Sequence, residues 1–348
     1  MRARDGVDLS TSTTLRLGGP AARVVEVETV DELCEVVREL DDEGSPVLVL
    51  GGGSNVVIAD AGFPGTVVEV RLPGVVVESV DDCSGVTVRV RAGENWDEFV
   101  TAAITQGWVG VEALSGIPGL VGAAPMQNIG AYGQEVADAI AQVRVWDRPA
   151  RAIRTFAASE CGFGYRTSRF KQELGRYVVL EVIFQLRPGD LGAPIRYAEL
   201  ARTLGVEQGA RVPMSTVRDA VLDLRGRKGM VLDPSDHDTW SAGSFFTNPI
   251  LDEEAAAELP QDAPRWPQPG GGVKTSAAWL IEHAGFTKGY GPSGGHVRLS
   301  TKHTLALTNR GGATTDELLD LAREVRDGVT KAFGIVLEPE PVLVGCSL

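Results

Sequence analysis

The sequence predicts an α+β fold assembled from more than one unit, on three observations. Apolar periodicity switches from strand to helix and back within residues 24–50. The glycine-rich turn that follows leads into further strands. After Arg225 the composition breaks, and a stretch with its own helices and strand begins. At 348 residues and 43% hydrophobic content, the chain can bury a sizeable core in each unit.

Each element has its own warrant. Residues 24–28 read as a strand, Val30, Leu33, Cys34, Val37 and Leu40 fall at helical spacing, and residues 46–50 resume strand character. That is a β-α-β unit. Residues 56–58 and 66–70 are further strand runs, where a dinucleotide fold or a P-loop would open a helix. Residues 75–80 and 86–91 alternate like half-buried strands. Residues 95–106 predict a helix with Trp96, Phe99, Val100 and Ala103 on one face. A segment punctuated by glycine and proline covers 115–133, and strands return at 142–146, 152–156 and 177–186. A helix is expected over 213–225, capped by Ser215. Residues 260–269 carry the strongest loop signal. Beyond them the pattern predicts a helix at 276–283, a strand at 304–308 and a long helix over 315–333. That helix turns Leu318, Leu319, Ala322, Val325 and Val329 inward and stops at Gly334.

Composition excludes several functions. Acidic residues outnumber basic ones 47 to 33, a formal charge of −14, so attraction to nucleic acid or to an anionic membrane is not expected. No apolar run approaches the roughly 20 residues of a membrane helix, and the N-terminus carries no secretory pattern. The cysteines Cys34, Cys83, Cys161 and Cys346 are scattered without a CxxC pair, which argues against a disulfide framework or zinc knuckle. His283, His296 and His303 follow no HExxH pattern, so no metal is expected. The expected compartment is the cytoplasm.

Four stretches carry chemistry. Gly51, Gly52, Gly53, Ser54 and Asn55 fit a phosphate cradle, because glycine lets backbone N–H groups approach an anion. A tight turn between strands fits that segment slightly better when it is taken alone. Gly116, Gly119 and Gly122, followed by the run from Gln127 and Asn128 to Tyr132, give an extended backbone able to track a pyrophosphate. A glycine-rich loop of that length inside a compact domain favours function. Ala242-Gly243-Ser244-Phe245-Phe246-Thr247-Asn248-Pro249 is no secondary-structure former, yet it sets a hydroxyl between small and aromatic neighbours. Leu337-Glu338-Pro339-Glu340 follows near the C-terminus, its two glutamates alternating so that both can face one side.

Together with Gly164-Tyr165-Arg166-Thr167-Ser168, these motifs occur in an order that resembles the UDP-N-acetylenolpyruvoylglucosamine reductase (MurB) family, from Thr14 to Gly345. The resemblance implies a two-part FAD-binding region of the vanillyl-alcohol-oxidase (PCMH) type and a smaller α+β substrate-binding domain. Its parts would be residues 1–72 and 73–227 for the flavin and 228–334 for the UDP-sugar, with 335–348 returning to the first. It implies noncovalent FAD at Gly51, Gly52, Gly53, Ser54, Asn55, Ile117, Pro118, Gly119, Gly122, Ala123, Gln127, Asn128, Gly130 and Tyr132. It further implies NADPH as reductant, UDP-N-acetylglucosamine enolpyruvate as substrate, and a chain acting as a monomer.

The implied reaction turns an enolpyruvyl ether into a lactyl ether. Hydride arrives at the terminal carbon, and charge collects on the next carbon and its carboxylate. Arg166 suits that charge, since guanidinium stays protonated and presents a planar fork. Ser244 is the expected proton donor, acting through preorganisation because a hydroxyl is a poor acid. Glu340 would join Arg166, neutralised by desolvation. Tyr165, Tyr197, Lys228 and Asn248 are the expected substrate or NADPH contacts. Lys228 reads nearly as well as a solvated helix end, and Tyr197 as a residue of an amphipathic helix. The chain departs from the family pattern at Val342, where a basic residue is common, and at Ala123-Ala124, where hydroxyl residues occur. An oxidase of the same cofactor fold and a noncatalytic flavin or sugar sensor are the competing readings; the Ser244 and Glu340 motifs weigh against the first, and the intact Arg166 and Ser244 against the second.

Overall fold

The computed structural model describes residues 1–81, 85–268 and 270–348. Cys83 and Pro269, which entered the cysteine and loop readings, lie outside the described residues. Contacts divide the chain into two compact units. The first comprises Met1–Val7, Ala21–Gly52 and Pro64–Val231, and the second Asp8–Pro20, Gly53–Phe63 and Leu232–Leu348.

In the first unit the β-α-β reading is realised. Val47–Leu50 pairs in parallel with Phe63–Val70, Val47 opposite Thr66, in a sheet completed by Pro20–Val27 and Arg2–Asp8. The helix Val30–Asp42 between them starts at a capping box, in which Thr29 accepts from the Glu32 amide and Glu32 answers to the Thr29 backbone. It buries Leu33, Val36, Val37 and Leu40. A second, antiparallel sheet runs in the order Ala152–Ala157, Ile140–Asp147, Tyr177–Pro188, Gly85–Arg91 and Val75–Asp81. The helix Trp96–Thr105 lies on it, burying the four expected residues and setting Phe99 4.7 Å from Phe184 between ring centroids.

Two expectations for this unit need correction. Val75–Asp81 is exposed along its whole length instead of half-buried. It is the terminal strand of the sheet order, hydrogen-bonded to Gly85–Arg91. The alternation read from its valines therefore reflects strand propensity and not a buried face. The helix expected from Ser215 begins at Met214, with Pro213 at the cap and no side-chain cap bond, so Ser215 lies inside its first turn.

In the second unit the helix Thr315–Phe333 has the expected bounds. A Thr314–Glu317 capping box opens it, and Gly334 closes it at φ 71°. Its inward stripe is buried as expected, joined by Leu321, and packs in one core with Phe245, Phe246, Leu280, Ile281, Leu15 and Leu17. Ser276 caps Ala277–His283 by accepting from the Trp279 amide. The strand expected at 304–308 is Leu307–Asn309, because the Ala306 amide donates to His303 O at 3.1 Å and turns the chain first. Val342–Val344 pairs in parallel with Val56–Ile58, so the C-terminus closes onto a segment from the start of the chain. Among the described residues no helix is long and apolar enough to cross a membrane.

Candidate active site

The first unit brings the two glycine-rich segments together. A Cβ on Gly52 would lie 2.8 Å from Gly119 Cα, so the backbones touch because neither residue has a side chain. Around Gly119 the loop is tied to the start of the helix Trp96–Thr105. The Trp96 amide donates to Gly119 O at 3.0 Å, and the Gly116 amide donates to Asp97 Oδ1 at 2.6 Å. Gly122 packs on Ala92, where a Cβ would come within 2.5 Å, and the Ala123 amide turns back to Leu120 O. Among the described residues the amides of Gly52, Ile117 and Gly119 donate no hydrogen bond. Bare backbone with N–H groups turned away from protein partners suits an anionic group, and this is the local chemistry that a flavin pyrophosphate needs.

Further along, the chain builds a frame for Arg166. Asn128, buried and at φ +49°, donates through Nδ2 to Glu135 Oε2 at 2.7 Å and to Gly164 O at 3.0 Å. Its Oδ1 accepts from the Ala137 amide at 3.0 Å. This network fixes the Gly164–Thr167 turn, in which the two residues bridge each other and Arg166 is held at φ +53°. A left-handed arginine is a strained one. Its Nη2 donates to Gly130 O at 2.8 Å, and its guanidinium carbon lies 5.4 Å from the Tyr165 ring centroid. A Cβ on Gly130 would stand 3.0 Å from Gln134 O and 3.1 Å from Arg166 Nη1, so a side chain there would crowd both.

Tyr132 and Tyr197 meet edge to face at 5.7 Å between centroids. Burial pushes the Tyr132 phenol up to about 12 and moves Tyr197 in the same direction, so both remain neutral donors at neutral pH. Tyr197 is the cap residue of the short helix Ala198–Leu204 and is 45% exposed, outside the amphipathic face that offered its alternative reading. Lys228, at the end of the helix Met214–Arg227, pairs with Glu199 at 2.6 Å and stands 5.8 Å from the Tyr132 ring centroid.

The second unit holds Ser244, Glu340, Asn248 and the end of the first glycine segment. Gly53, at φ +59°, approaches the Ser12 carbonyl so closely that a Cβ would be 1.9 Å from it. Asn55 reaches Glu340, its Nδ2 donating to Glu340 O at 3.4 Å, and Asn55 O accepts from the Val342 amide. Glu340 in turn donates its amide to Phe245 O at 2.8 Å, one residue past Ser244. Ser244 and Glu340 therefore lie on adjacent paired segments, continued by the bridge between Phe246 and Pro339. Glu340 is buried and Glu338 exposed, so the two glutamates do not share an environment as their alternation suggested.

The Ser244 loop hangs from fixed points. The Phe245 amide donates to Leu305 O, Thr14 Oγ1 donates to Ser241 O, and the Asn309 amide donates to Trp240 O. Ser241, not Ser244, performs the turn role, its Oγ accepting from the Gly243 amide at 3.2 Å. The Ser244 hydroxyl makes no hydrogen bond among the described residues. Asn248 Oδ1 accepts from the Ala277 amide at 2.9 Å and so helps to seat the next helix.

Two supports leave no mark in the local sequence pattern. Asp97 bridges the Gly116 amide and both Nη atoms of Arg218, 121 residues away. Burial opposes its ionisation, but the Arg218 fork and the Gly116 amide outweigh that and hold its carboxyl below the usual range. Glu112 is buried and accepts from the Gly110 and Ala193 amides and from Gln134 Nε2, which fixes the segment leading to Tyr197. Both are ordinary helix or turn acids when read locally. Nothing short of the fold reveals their partners.

Comparison with known proteins gives the family of the chain. Residues 21–155 match the family described as FAD binding domain, and residues 233–344 match the UDP-N-acetylenolpyruvoylglucosamine reductase C-terminal domain. The chain is 57% identical to the UDP-N-acetylenolpyruvoylglucosamine reductase of Thermobifida fusca, covering 98% of each chain. It is 51% identical to that of Mycobacterium marinum over 100% of this chain and 96% of the relative. The solved UDP-N-acetylenolpyruvylglucosamine reductase (MurB) of Thermus caldophilus superposes with a TM-score of 0.67 at 29% identity, covering 99% of both.

Proposed function

The chain belongs to the UDP-N-acetylenolpyruvoylglucosamine reductase family, FAD-dependent oxidoreductases, and we propose that it uses NADPH to reduce UDP-N-acetylglucosamine enolpyruvate to UDP-N-acetylmuramate. The pairing of the Ser244 and Glu340 segments carries this reading. It brings the segment with an unengaged hydroxyl and the segment with a buried carboxyl onto neighbouring paired backbone, which supports a stereospecific protonation.

The glycine loops and their unengaged amides would hold FAD noncovalently, and the bound flavin would supply hydride for the terminal carbon of the enolpyruvyl group. Arg166 takes the substrate carboxylate in its fork and offsets the charge that develops there. The strained turn holding Arg166 preorganises it, so no reorganisation accompanies the reaction. Ser244 delivers a proton from Oγ to the neighbouring carbon, on one face. Glu340, buried at 8% exposure, acts as a neutral acid that donates a hydrogen bond to the same charge. Tyr165, Tyr197, Lys228 and Asn248 bind the nucleotide parts of substrate and NADPH. The reaction belongs to peptidoglycan precursor synthesis in the cytoplasm, with the chain acting as a monomer.

The test separates the half-reactions. In the anaerobic enzyme NADPH should bleach the flavin, and the enolpyruvyl UDP-sugar should restore its colour. A flavin that only oxygen reoxidises would assign the chain to oxidase chemistry instead.

A further inference from the structure

Near the end of the helix Met214–Arg227, Arg225 differs from the other cations around it. Lys228 has Glu199 at 2.6 Å, Arg218 has Asp97, and Arg227 has Asp223. Among the described residues Arg225 has no carboxylate at ion-pair distance. Its Nη2 donates to Met230 O at 2.7 Å, closing the helix end, while its Nε is enclosed and donates to nothing. The carboxylate that bears on it, Asp97, is already engaged by Arg218 and Gly116. Burial pushes the guanidinium down to about 10, which leaves it a cation at neutral pH. The residue still keeps partial contact with solvent. The side chain is thus enclosed by protein at Nε and yet not wholly cut off from solvent.

The surroundings of Arg225 combine apolar side chains, Leu222 and Val231 among them, with hydrogen-bond donors. The Gly116 turn passes over Arg225, with a Cβ there 3.4 Å from Nε and 2.7 Å from Leu222, so only glycine leaves the guanidinium uncovered. Tyr132 is a neutral phenol on one side, and Lys228 faces the ring of the same tyrosine. Donors and positive charge therefore converge with no acid to balance Arg225. An uncompensated cation is costly to bury unless a ligand supplies the anion.

We propose that Arg225 is a ligand-binding residue that receives a phosphate oxyanion of a bound nucleotide, and that it does so ahead of Lys228, whose charge Glu199 already balances. The phosphate comes from the UDP moiety, from NADPH or from FAD. In the first two cases the assignment rests on the reductase reading above.

The experiment titrates FAD-loaded wild type, Arg225→Met, Arg225→Lys and Lys228→Met with UDP and with NADP⁺ by calorimetry, and measures FAD retention on dilution. Arg225→Met should weaken one of the three nucleotides by roughly ten- to a hundredfold, as for loss of a charged hydrogen bond, and leave the others near wild type. Arg225→Lys should fall between, because it keeps the charge and loses the fork. Lys228→Met should lose less. Where FAD retention is unchanged, Arg225→Met without UDP or NADP⁺ should melt no lower than wild type, since an apolar side chain of similar volume replaces an unbalanced charge. Unchanged affinity for all three nucleotides would overturn the assignment. So would a larger loss in Lys228→Met, or a lowered melting temperature with all affinities falling together, which would make Arg225 a brace. A wild-type holoenzyme that binds neither UDP nor NADP⁺ would instead contradict the nucleotide-sugar reading itself.

Discussion

The Ser244 hydroxyl is left unengaged while its neighbour Ser241 makes the turn bond, so a local structural role does not account for it. Ser244→Ala should therefore leave reduction of the flavin by NADPH intact and slow reoxidation by the enolpyruvyl sugar by roughly 10²–10⁴-fold. Stopped-flow traces of the separate half-reactions measure this, and equal slowing of both would remove Ser244 from proton delivery. Arg166 should show a different signature. Arg166→Lys keeps the charge but loses the second N–H of the fork, and should raise the barrier to reoxidation by about 2.7–4 kcal/mol, as for loss of one transition-state donor. Wild-type reoxidation rates in that variant would contradict its role. Arg166, Ser244 and Glu340 stand out as candidates in the sequence because their motifs place unusual chemistry in segments that form no regular structure. The left-handed backbone of Arg166 and the Asn128 network behind it do not, since neither residue type nor spacing encodes a contact to Gly164.

At the scale of elements, the glycine loops and the helix Trp96–Thr105 behave as one assembly. Gly52→Ala would drive a methyl into the Gly119 backbone, which no rotamer change relieves, at a cost of about 1–3 kcal/mol as in other overpacked sites. The variant should release FAD more readily, measured as flavin fluorescence recovered on dilution, and retention equal to wild type would show that the loops do not need to touch. Asp97 couples this loop to Arg218, and the sign of its effect with pH follows from its lowered carboxyl. The stabilisation is present above the unfolded value, about pH 4, and is lost as pH falls through the lower folded value. Asp97→Asn should thus unfold in less urea than wild type at pH 7, and the gap should close as the pH falls below about 4. A gap independent of pH would show that the ion pair contributes nothing. Elements with a buried stripe and a cap, such as Thr315–Phe333, could be read to the residue. Val75–Asp81 could not, because alternating valines look alike whether or not a second layer covers them.

For the whole molecule, the sequence order of the motifs was more informative than their position in the fold. The α+β class and the flavin region follow from strands succeeding the first glycine turn, where a dinucleotide fold would continue as helix. The interleaving of the two units was not legible. Asp8–Pro20 and Gly53–Phe63 join the second unit, the latter beside Val342–Val344, and such pairings across the whole chain leave no local pattern. The first glycine segment itself divides, with Gly52 in one unit and Gly53 in the other.

In the proposed reaction one chain passes hydride from NADPH to an enolpyruvyl nucleotide sugar and adds a single proton from Ser244. This is tested most directly by reducing the bound flavin with NADPH without oxygen, adding UDP-N-acetylglucosamine enolpyruvate, and following the oxidised-flavin absorbance. The account predicts full return of the band with formation of UDP-N-acetylmuramate. A flavin that stays reduced with the sugar and regains colour only with oxygen or another acceptor would contradict it.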